Sequence, residues 1–155
     1  MLHRSSEPES EFYSVAVTPE LGESGARQLT FGICCEGHGI KPQLFALEKG
    51  SGFLLSVDDV IIGVDARTGE DLFRISFERS LVHSMSSIGD QSKILVFHEI
   101  GVALIDAAGK ALWNFSRDVV TGSSVIGDVI YLSFMDRAPA RLSIHTGLDL
   151  NTPTS

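Results

Sequence analysis

Histidine and cysteine are the side chains of this sequence best suited to chemistry near neutral pH, and they are few and scattered. The chain has five histidines and two cysteines. Cys34 and Cys35 are adjacent, so on a strand their side chains would point to opposite faces, which is typical of reduced thiols rather than of a bridge. A redox role for this pair, and a pairing of either thiol with a histidine in space, are alternatives that the sequence leaves open.

Three short motifs resemble catalytic signatures, but each lacks a required residue. His98-Glu99 resembles the start of a zinc-protease helix, yet Val102 stands where the second histidine is needed. Gly37-His38-Gly39 is followed by Pro42 and by no predicted helix, so it is not a phosphate-binding loop. Gly122-Ser123-Ser124 lacks the spacing of a nucleophile elbow. We therefore predict no catalytic residue, no metal site and no cofactor.

Ionisable residues cluster where strands are predicted to end. His98 and Glu99 stand between two predicted strands, where they point to opposite faces if the strand continues and project together from a rim if the chain turns. Loops held by rigid sheets carry much of protein recognition. The predicted interaction rim consists of His98, Glu99, Arg117, Asp118, Asp136 and Arg137. The alternative is a set of hairpin turns whose polar residues only face water.

The charge balance narrows the classes of partner. Among 155 residues, 12 Lys and Arg oppose 20 Asp and Glu, giving a formal net charge of −8 at pH 7. An acidic surface repels phosphate groups, which excludes a broad nucleic-acid footprint and disfavours an anionic membrane. The N-terminus has no apolar signal segment, and the longest apolar runs are as short as residues 60–62, so we expect a cytoplasmic protein.

Short apolar runs separated by turn residues indicate β-hairpins rather than helices. β-branched and aromatic residues dominate these runs, as a half-buried pleated surface favours. Helix is expected for one or two turns at most, and residues 18–27 and 84–92 are expected to be loops. The three predicted hairpins pair residues 54–57 with 60–64, 94–97 with 102–105, and 129–134 with 140–144.

A repeat of about 40 residues organises these hairpins. The segment 65–73 matches 106–113, and 143–150 is a weaker third copy. The glycines of the three copies, Gly69, Gly109 and Gly147, are spaced by 40 and 38 residues. Such a period, with three or four strands in each unit, is typical of propeller blades.

The residues of the repeat have structural roles that explain their types. Asp65 and Asp106 stand where a strand ends, and an aspartate there can accept hydrogen bonds from backbone N–H groups two residues on. The glycines supply the positive φ that closes such a turn. Phe73 and Trp113 follow as large anchors between layers. We therefore assign these residues to the fold and not to catalysis.

The strings VDARTGEDLF and LIDAAGKALWNF resemble the pyrroloquinoline-quinone-type (PQQ-like) propeller repeat over about three blades, residues 54–150. That family includes quinone-dependent dehydrogenases and non-enzymatic scaffolds such as those of outer-membrane assembly. Its dehydrogenases close a ring of eight blades, whereas this chain has material for three, or for four if residues 12–48 form a degenerate blade. The family's calcium and quinone ligands have no counterpart in this sequence that we can identify.

The predicted fold is all-β, with antiparallel blade-like sheets that form a partial propeller; a β-sandwich or barrel is the alternative. We expect a flexible N-terminus (1–10), one β domain (11–150) with repeats near 54–92, 93–127 and 128–150, and a flexible tail (151–155).

The predicted function is a non-catalytic protein-interaction or scaffold module, for example a bacterial immunity-type protein that neutralises a basic toxin domain. The partner would be another protein or a second copy in a homo-oligomer. The alternative function is a small-molecule-binding protein or an enzyme with a pocket near Cys34, Cys35 and His98.

Overall fold

Every regular element in the described part of the chain is a β-strand. The computed structural model describes residues 10–17, 28–36, 38–47, 52–89 and 92–151. Within these residues no helix is long and apolar enough to cross a membrane. The thirteen strands are β1 (Ser10–Val17), β2 (Leu29–Glu36), β3 (Gln43–Ala46), β4 (Gly52–Val57), β5 (Val60–Asp65), β6 (Asp71–Ser76), β7 (Val82–Ile88), β8 (Lys93–His98), β9 (Gly101–Asp106), β10 (Ala111–Ser116), β11 (Val120–Ile126), β12 (Val129–Phe134) and β13 (Ala140–Ser143).

The strands form four antiparallel sheets that follow one another along the chain. Sheet I is β1-β2, sheet II is β3-β4-β5-β6, sheet III is β7-β8-β9-β10 and sheet IV is β11-β12-β13. Strands that are consecutive in sequence are neighbours in each sheet, as in a propeller blade. The predicted all-β fold with blade-like sheets is confirmed. The barrel alternative is wrong, because none of the sheets formed by the described strands closes into a barrel, and these strands are divided among four sheets rather than the two of a sandwich.

The sheets pack face to face, each against the next, through three apolar clusters. Leu54 and Leu55 are adjacent in β4 and point to opposite faces, and each lies in a different cluster. Both faces of the middle strands are therefore buried, which explains their continuous apolar runs. Sheets I and II meet through Ile33, Phe53, Leu55 and Val64, sheets II and III through Leu54, Ile61, Ile94 and Val96, and sheets III and IV through Leu95, Leu104, Ile130 and Leu142.

The predicted repeat turn is present after β5, after β9 and after β13. Oδ1 of Asp65 accepts hydrogen bonds from the backbone N–H groups of Thr68 and Arg67, both at 2.8 Å. These bonds hold the pKa of the Asp65 carboxyl below its ordinary value. Asp106 accepts from two N–H groups of its own turn at 3.0 and 2.8 Å. In the third copy a backbone N–H closes the turn on the carbonyl oxygen of Ser143 at 2.8 Å.

An aromatic side chain of one sheet docks on the turn glycine of the next. A Cβ atom at Gly109 would lie 2.3 Å from the Phe73 ring, and one at Gly147 would lie 2.6 Å from the Trp113 ring. Both glycines have positive φ, 82° and 68°. The indole N–H of Trp113 also donates to the carbonyl oxygen of Ile144 at 3.2 Å. The prediction that Phe73 and Trp113 anchor neighbouring layers is confirmed.

Sheet I makes a looser version of this contact. A Cβ atom at Gly69 would lie 3.6 Å from the Leu29 side chain and 3.8 Å from the Phe31 ring, both of β2. Phe31 is the third residue of its strand, as Phe73 and Trp113 are of theirs. The sequence suggests residues 12–48 as an optional degenerate blade, and the strands described in this range belong to sheet I and to β3, the first strand of sheet II.

Two predicted loops have different outcomes. The loop predicted at residues 84–92 is wrong over residues 84–88, because β7 runs through Ile88 and pairs with β8 along its length, whereas Gly89 and Ser92 lie in a turn. β7 is an edge strand with a half-exposed face, where small polar residues are tolerated. The predicted loop at 18–27 lies outside the described residues, as do the predicted flexible ends apart from Ser10 and Asn151.

Candidate functional site

Backbone hydrogen bonds join sheets II, III and IV at one end of the stack, which we call the upper rim. The upper rim consists of the turns that follow β4, β6, β8, β10 and β12. The N–H of Val82 donates to the carbonyl oxygen of Asp58 in the preceding sheet at 2.8 Å. The N–H of Val120 donates to Glu99 in the same way, also at 2.8 Å. Each turn is therefore fixed to the following sheet, and the side chains it carries have a defined placement.

All six predicted interaction residues lie at the upper rim, but they differ in exposure. Glu99 is half-buried, and its N–H donates to the carbonyl oxygen of Leu81 at 2.9 Å. Oδ2 of Asp118 accepts the N–H of Asp136 at 3.0 Å. Asp136 and Arg137 are exposed. These four residues can contact a partner with little rearrangement.

Arg117 points into the junction between sheets III and IV and binds there. Its guanidinium group donates to Oδ2 of Asp149 at 2.7 Å and to the carbonyl oxygen of Ala138 at 3.3 Å. It also lies over the rings of Phe115 and Phe134, at 5.0 and 5.7 Å from their centroids. The prediction placed Arg117 on the interaction rim, whereas its charged group closes this junction.

His98 is buried, with 2 % of its surface exposed, so it does not project from the upper rim as expected. The reason is that β8 continues to residue 98, and strand alternation turns this side chain inward. Nδ1 lies 2.8 Å from Oγ of Ser80, and Nε2 lies 3.3 Å from Oδ1 of Asn114. The Phe77 ring packs against the imidazole with centroids 5.0 Å apart.

The hydrogen-bond partners define the state of the His98 ring. The side-chain oxygen of Asn114 can only accept, so Nε2 carries the proton and Nδ1 accepts from the Ser80 hydroxyl. Oγ of Ser80 in turn accepts the N–H of Ile100 at 3.3 Å. Burial lowers the pKa of His98, the bond to Asn114 opposes this effect, and the charge of His83 adds to it. The imidazole is therefore neutral at pH 7.

The repeat shows that the fold does not need a histidine at this place. Val57 ends β4 and Phe134 ends β12, just before the corresponding turns of sheets II and IV. An apolar residue is therefore sufficient at this position of a blade. A buried polar residue that stands where the other repeat copies have an apolar one, and that has its own hydrogen-bond partners, is typical of a functional position.

A groove of about 400 Å³ opens beside His98, between sheets II and III. This volume is at the lower end of the range for small-molecule sites. Its apolar wall is formed by Ile75, Phe77, Ile100, Ala103, Ile105 and Ala111. Its polar groups belong to Ser76, Glu78, His98, Asn114 and Ser116. The groove can hold the apolar part of a ligand. Its polar side chains can form hydrogen bonds with the polar end of that ligand, and Glu78 offers one negative charge.

Ser80 and His98 have the separation of a nucleophile and its base, but their placement does not suit nucleophilic attack. Ser80 is 3 % exposed and does not line the groove. The ring nitrogen with a groove-side partner is Nε2, which is bonded to Asn114. The chemistry that this arrangement supports is recognition through hydrogen bonds.

The structure does not bring the two cysteines into this site. Cys34 is exposed and Cys35 is buried in sheet I, and neither lines the groove beside His98. Burial raises the pKa of the Cys35 thiol, which makes it less reactive. Among the described residues, no group of three or more His, Cys, Asp and Glu side chains could hold a metal ion.

Ser80 and Asn114 are site residues that sequence reasoning missed. The signal that could have found them is a comparison of the repeat copies position by position. In that comparison Asn114 stands in β10 where Arg74 stands in β6, and His98 replaces Val57. Departures from the repeat, rather than short motifs, point to the groove.

Comparisons with known proteins show the fold alone. No family model and no curated protein matches the sequence. The computationally designed Ika4 protein is similar with a TM-score of 0.55 and 17 % identity, over 76 % of this chain and 74 % of that chain. The designed Ika8 protein is similar with a TM-score of 0.50 and 17 % identity, over 75 % of this chain and 37 % of that chain. BamB from Moraxella catarrhalis is similar with a TM-score of 0.50 and 13 % identity, over 90 % of this chain and 50 % of that chain. The chain therefore has a propeller-like fold.

Proposed function

We propose that this chain is a non-catalytic protein-interaction or scaffold module built from PQQ-like propeller repeats, and that its upper rim contacts the partner. The observation that carries the proposal is the composition of this rim. Ile100 and Met135 expose their side chains there, while Glu99, Asp136 and Arg137 stand beside them. Apolar groups surrounded by charged ones are typical of the surfaces that proteins use to bind each other.

The backbone hydrogen bonds of the upper rim support the same proposal. Because the turns carrying Glu99 and Asp118 are tied to neighbouring elements, the backbone of these turns loses little conformational entropy when a partner binds. The net charge of −8 favours a basic partner, since opposite charges speed and orient association. A bacterial immunity-type role, in which the partner is a basic toxin domain, is a specific form of this proposal.

Site-specific cross-linking tests the proposed surface. A photoreactive residue is placed at Arg137, on the upper rim, and as a matched control at Lys110, which is also exposed but lies in a repeat turn at the opposite end. We expect a discrete cross-linked protein in native lysate from position 137 and none from position 110. The substitution Met135→Lys should remove this product, whereas Leu72→Lys, another exposed position, should preserve it.

Cross-linked products that are the same from both positions, or that survive Met135→Lys, would contradict the proposal.

The groove beside His98 favours a second candidate function, a small-molecule-binding protein. A thermal-shift screen against metabolites separates the two, since a specific ligand raises the melting temperature by mass action and a protein-only module gains nothing.

A further inference from the structure

We propose that the groove between sheets II and III receives a lysine or arginine side chain from the protein partner. This inference rests on the proposed interaction function and adds the chemistry of one contact. Two junctions of the same molecule differ, because one is closed by its own side chains and the other is open.

The junction between sheets III and IV is closed by residues of the chain itself. Phe115 of β10 packs against Phe134, with ring centroids 6.4 Å apart. The guanidinium group of Arg117 covers both rings and reaches the carboxylate of Asp149. An aliphatic stem on apolar groups, with its cationic end on oxygen acceptors, is therefore what fills this place in the fold.

The junction between sheets II and III has the corresponding positions but lacks both the cation and its carboxylate partner. Phe77 stands at the position of Arg117, since both follow the last strand of their sheet and donate their N–H to the turn between the two middle strands. Ile75 replaces the larger Phe115 and Ala111 replaces Asp149, and both smaller side chains line the groove. These differences leave the groove of about 400 Å³.

The polar groups that line the groove suit a cation. Glu78 provides a carboxylate and Asn114 an amide oxygen, and no lysine or arginine is among the lining residues. His98 is buried and both of its ring nitrogens have partners within the chain, which disfavours a competing positive charge there. The apolar wall, including Ile75 and Phe77, can cover the methylene groups of a long basic side chain.

A peptide titration followed by NMR tests this inference on the full chain. The probes are the acetylated and amidated peptides Gly-Ala-Arg-Ala-Gly and its citrulline counterpart, which keeps the shape of the side chain but not its charge. We expect saturable shifts of the Ala103 amide and of the Asn114 side-chain amide with the arginine peptide, at a dissociation constant of about 1 mM. The citrulline peptide should bind several-fold more weakly.

Two variants and a control locate the binding. Ala111→Phe fills the groove and should abolish the shifts, whereas Ala108→Phe, at an exposed position in the opposite rim, should leave them unchanged. Glu78→Gln removes the charge with little change in size and should weaken binding about two- to fivefold, the range for an exposed ion pair. Because Glu78 is exposed, this variant remains informative if Ala111→Phe does not fold.

Equal affinity for the two peptides, shifts that persist in Ala111→Phe, or no saturation up to about 10 mM would overturn the inference. Its failure is distinguishable from failure of the proposed function. A rim-specific cross-link without binding in the groove would preserve the interaction module and remove only the cationic contact.

Discussion

At the scale of single residues, His98 is the unusual feature of the molecule. It occupies the end of β8, where the corresponding strands of sheets II and IV end in Val57 and Phe134. Its two ring nitrogens are bonded to Ser80 and Asn114, which come from different elements. This network satisfies a buried polar group, and it also makes the stability of the protein dependent on the protonation of one ring.

We expect the free energy of unfolding to fall as the pH is lowered from about 6.5, the ordinary pKa of histidine. The folded-state pKa of His98 is lowered by burial, so between that value and about 6.5 the unfolded chain binds a proton that the folded chain does not. Above this window both states are neutral, and the contribution to stability is fully present. Urea denaturation at several pH values measures the slope of the free energy of unfolding against pH.

His98→Phe, which copies the residue at the end of β12, should make this slope shallower. His145→Asn is the control, because His145 is an exposed histidine whose charge is not among those that act on His98, and its loss should change the slope much less. A slope in His98→Phe equal to that of the unchanged protein would show that His98 does not couple protonation to folding.

The sequence could predict which residues cluster at the upper rim but not how their side chains point. Glu99, Asp118 and Asp136 lie there because strand ends are visible in the pattern. The inward direction of His98 depends on β8 extending to the last residue before the turn, a boundary that apolar patterning does not define to one residue. The contact of Arg117 with Asp149 joins residues 32 positions apart, which no local pattern reveals.

At the scale of elements, the docking of an aromatic ring on a turn glycine fixes the position of one sheet against the next. The same contact joins Phe73 to Gly109 and Trp113 to Gly147. Each glycine combines a positive φ with the absence of a side chain, and both properties are needed where a ring lies against the backbone.

We expect Gly147→Ala to destabilise the protein by about 2–4 kcal/mol, since the new methyl group would be strained by the positive φ and would overlap the Trp113 ring. Gly127→Ala is the matched control, because Gly127 also has positive φ but no heavy atom within 4 Å of the position of a Cβ atom. It should cost about 1–2 kcal/mol. Urea unfolding followed by the fluorescence of Trp113, the single tryptophan, measures both. Equal losses would contradict a role for the ring contact.

Apolar runs and turn residues predicted the middle hairpins of sheets II and III and the β12-β13 hairpin of sheet IV. Turn chemistry at Asp65 and Asp106 and the apolar runs on each side agree, so local and global signals coincide there. Most of β7 was mistaken for a loop, because strand formation there comes from pairing with β8 and not from an apolar run of its own. Sheet I lacks the Asp-Gly turn among its described residues, so only Phe31 links it to the repeat.

At the scale of the whole molecule, the junctions between the sheets are apolar, and exposed apolar side chains are unevenly distributed over the surface of the stack. Five of the ten exposed large apolar side chains of the described residues lie in or beside sheet IV, the last sheet of the stack. They are Val125, Ile126, Met135, Leu148 and Leu150. Exposed apolar surface concentrated on one element commonly marks a contact with another protein.

We expect weak self-association through sheet IV, with a dissociation constant of about 0.1–1 mM. The double substitution Ile126→Lys and Leu148→Lys should reduce it, because it places charges among the exposed apolar groups. Leu72→Lys, an equally apolar and exposed position in sheet II, is the control and should have no effect. Sedimentation velocity over a range of concentrations measures the average mass. A mass that is independent of concentration would refute a homo-oligomer formed through this sheet.

The docking contact between neighbouring sheets also has a consequence for how repeats can be added to such a chain by duplication. The segment from Asp71 to Lys110 begins with the strand that carries one aromatic ring and ends with the turn that carries the glycine receiving it. A tandem copy of this segment would place a second Phe73 where Trp113 stands, and a second Gly109 would follow to receive its ring. Gene duplication could therefore add one layer to the stack while keeping the contact that holds neighbouring layers together.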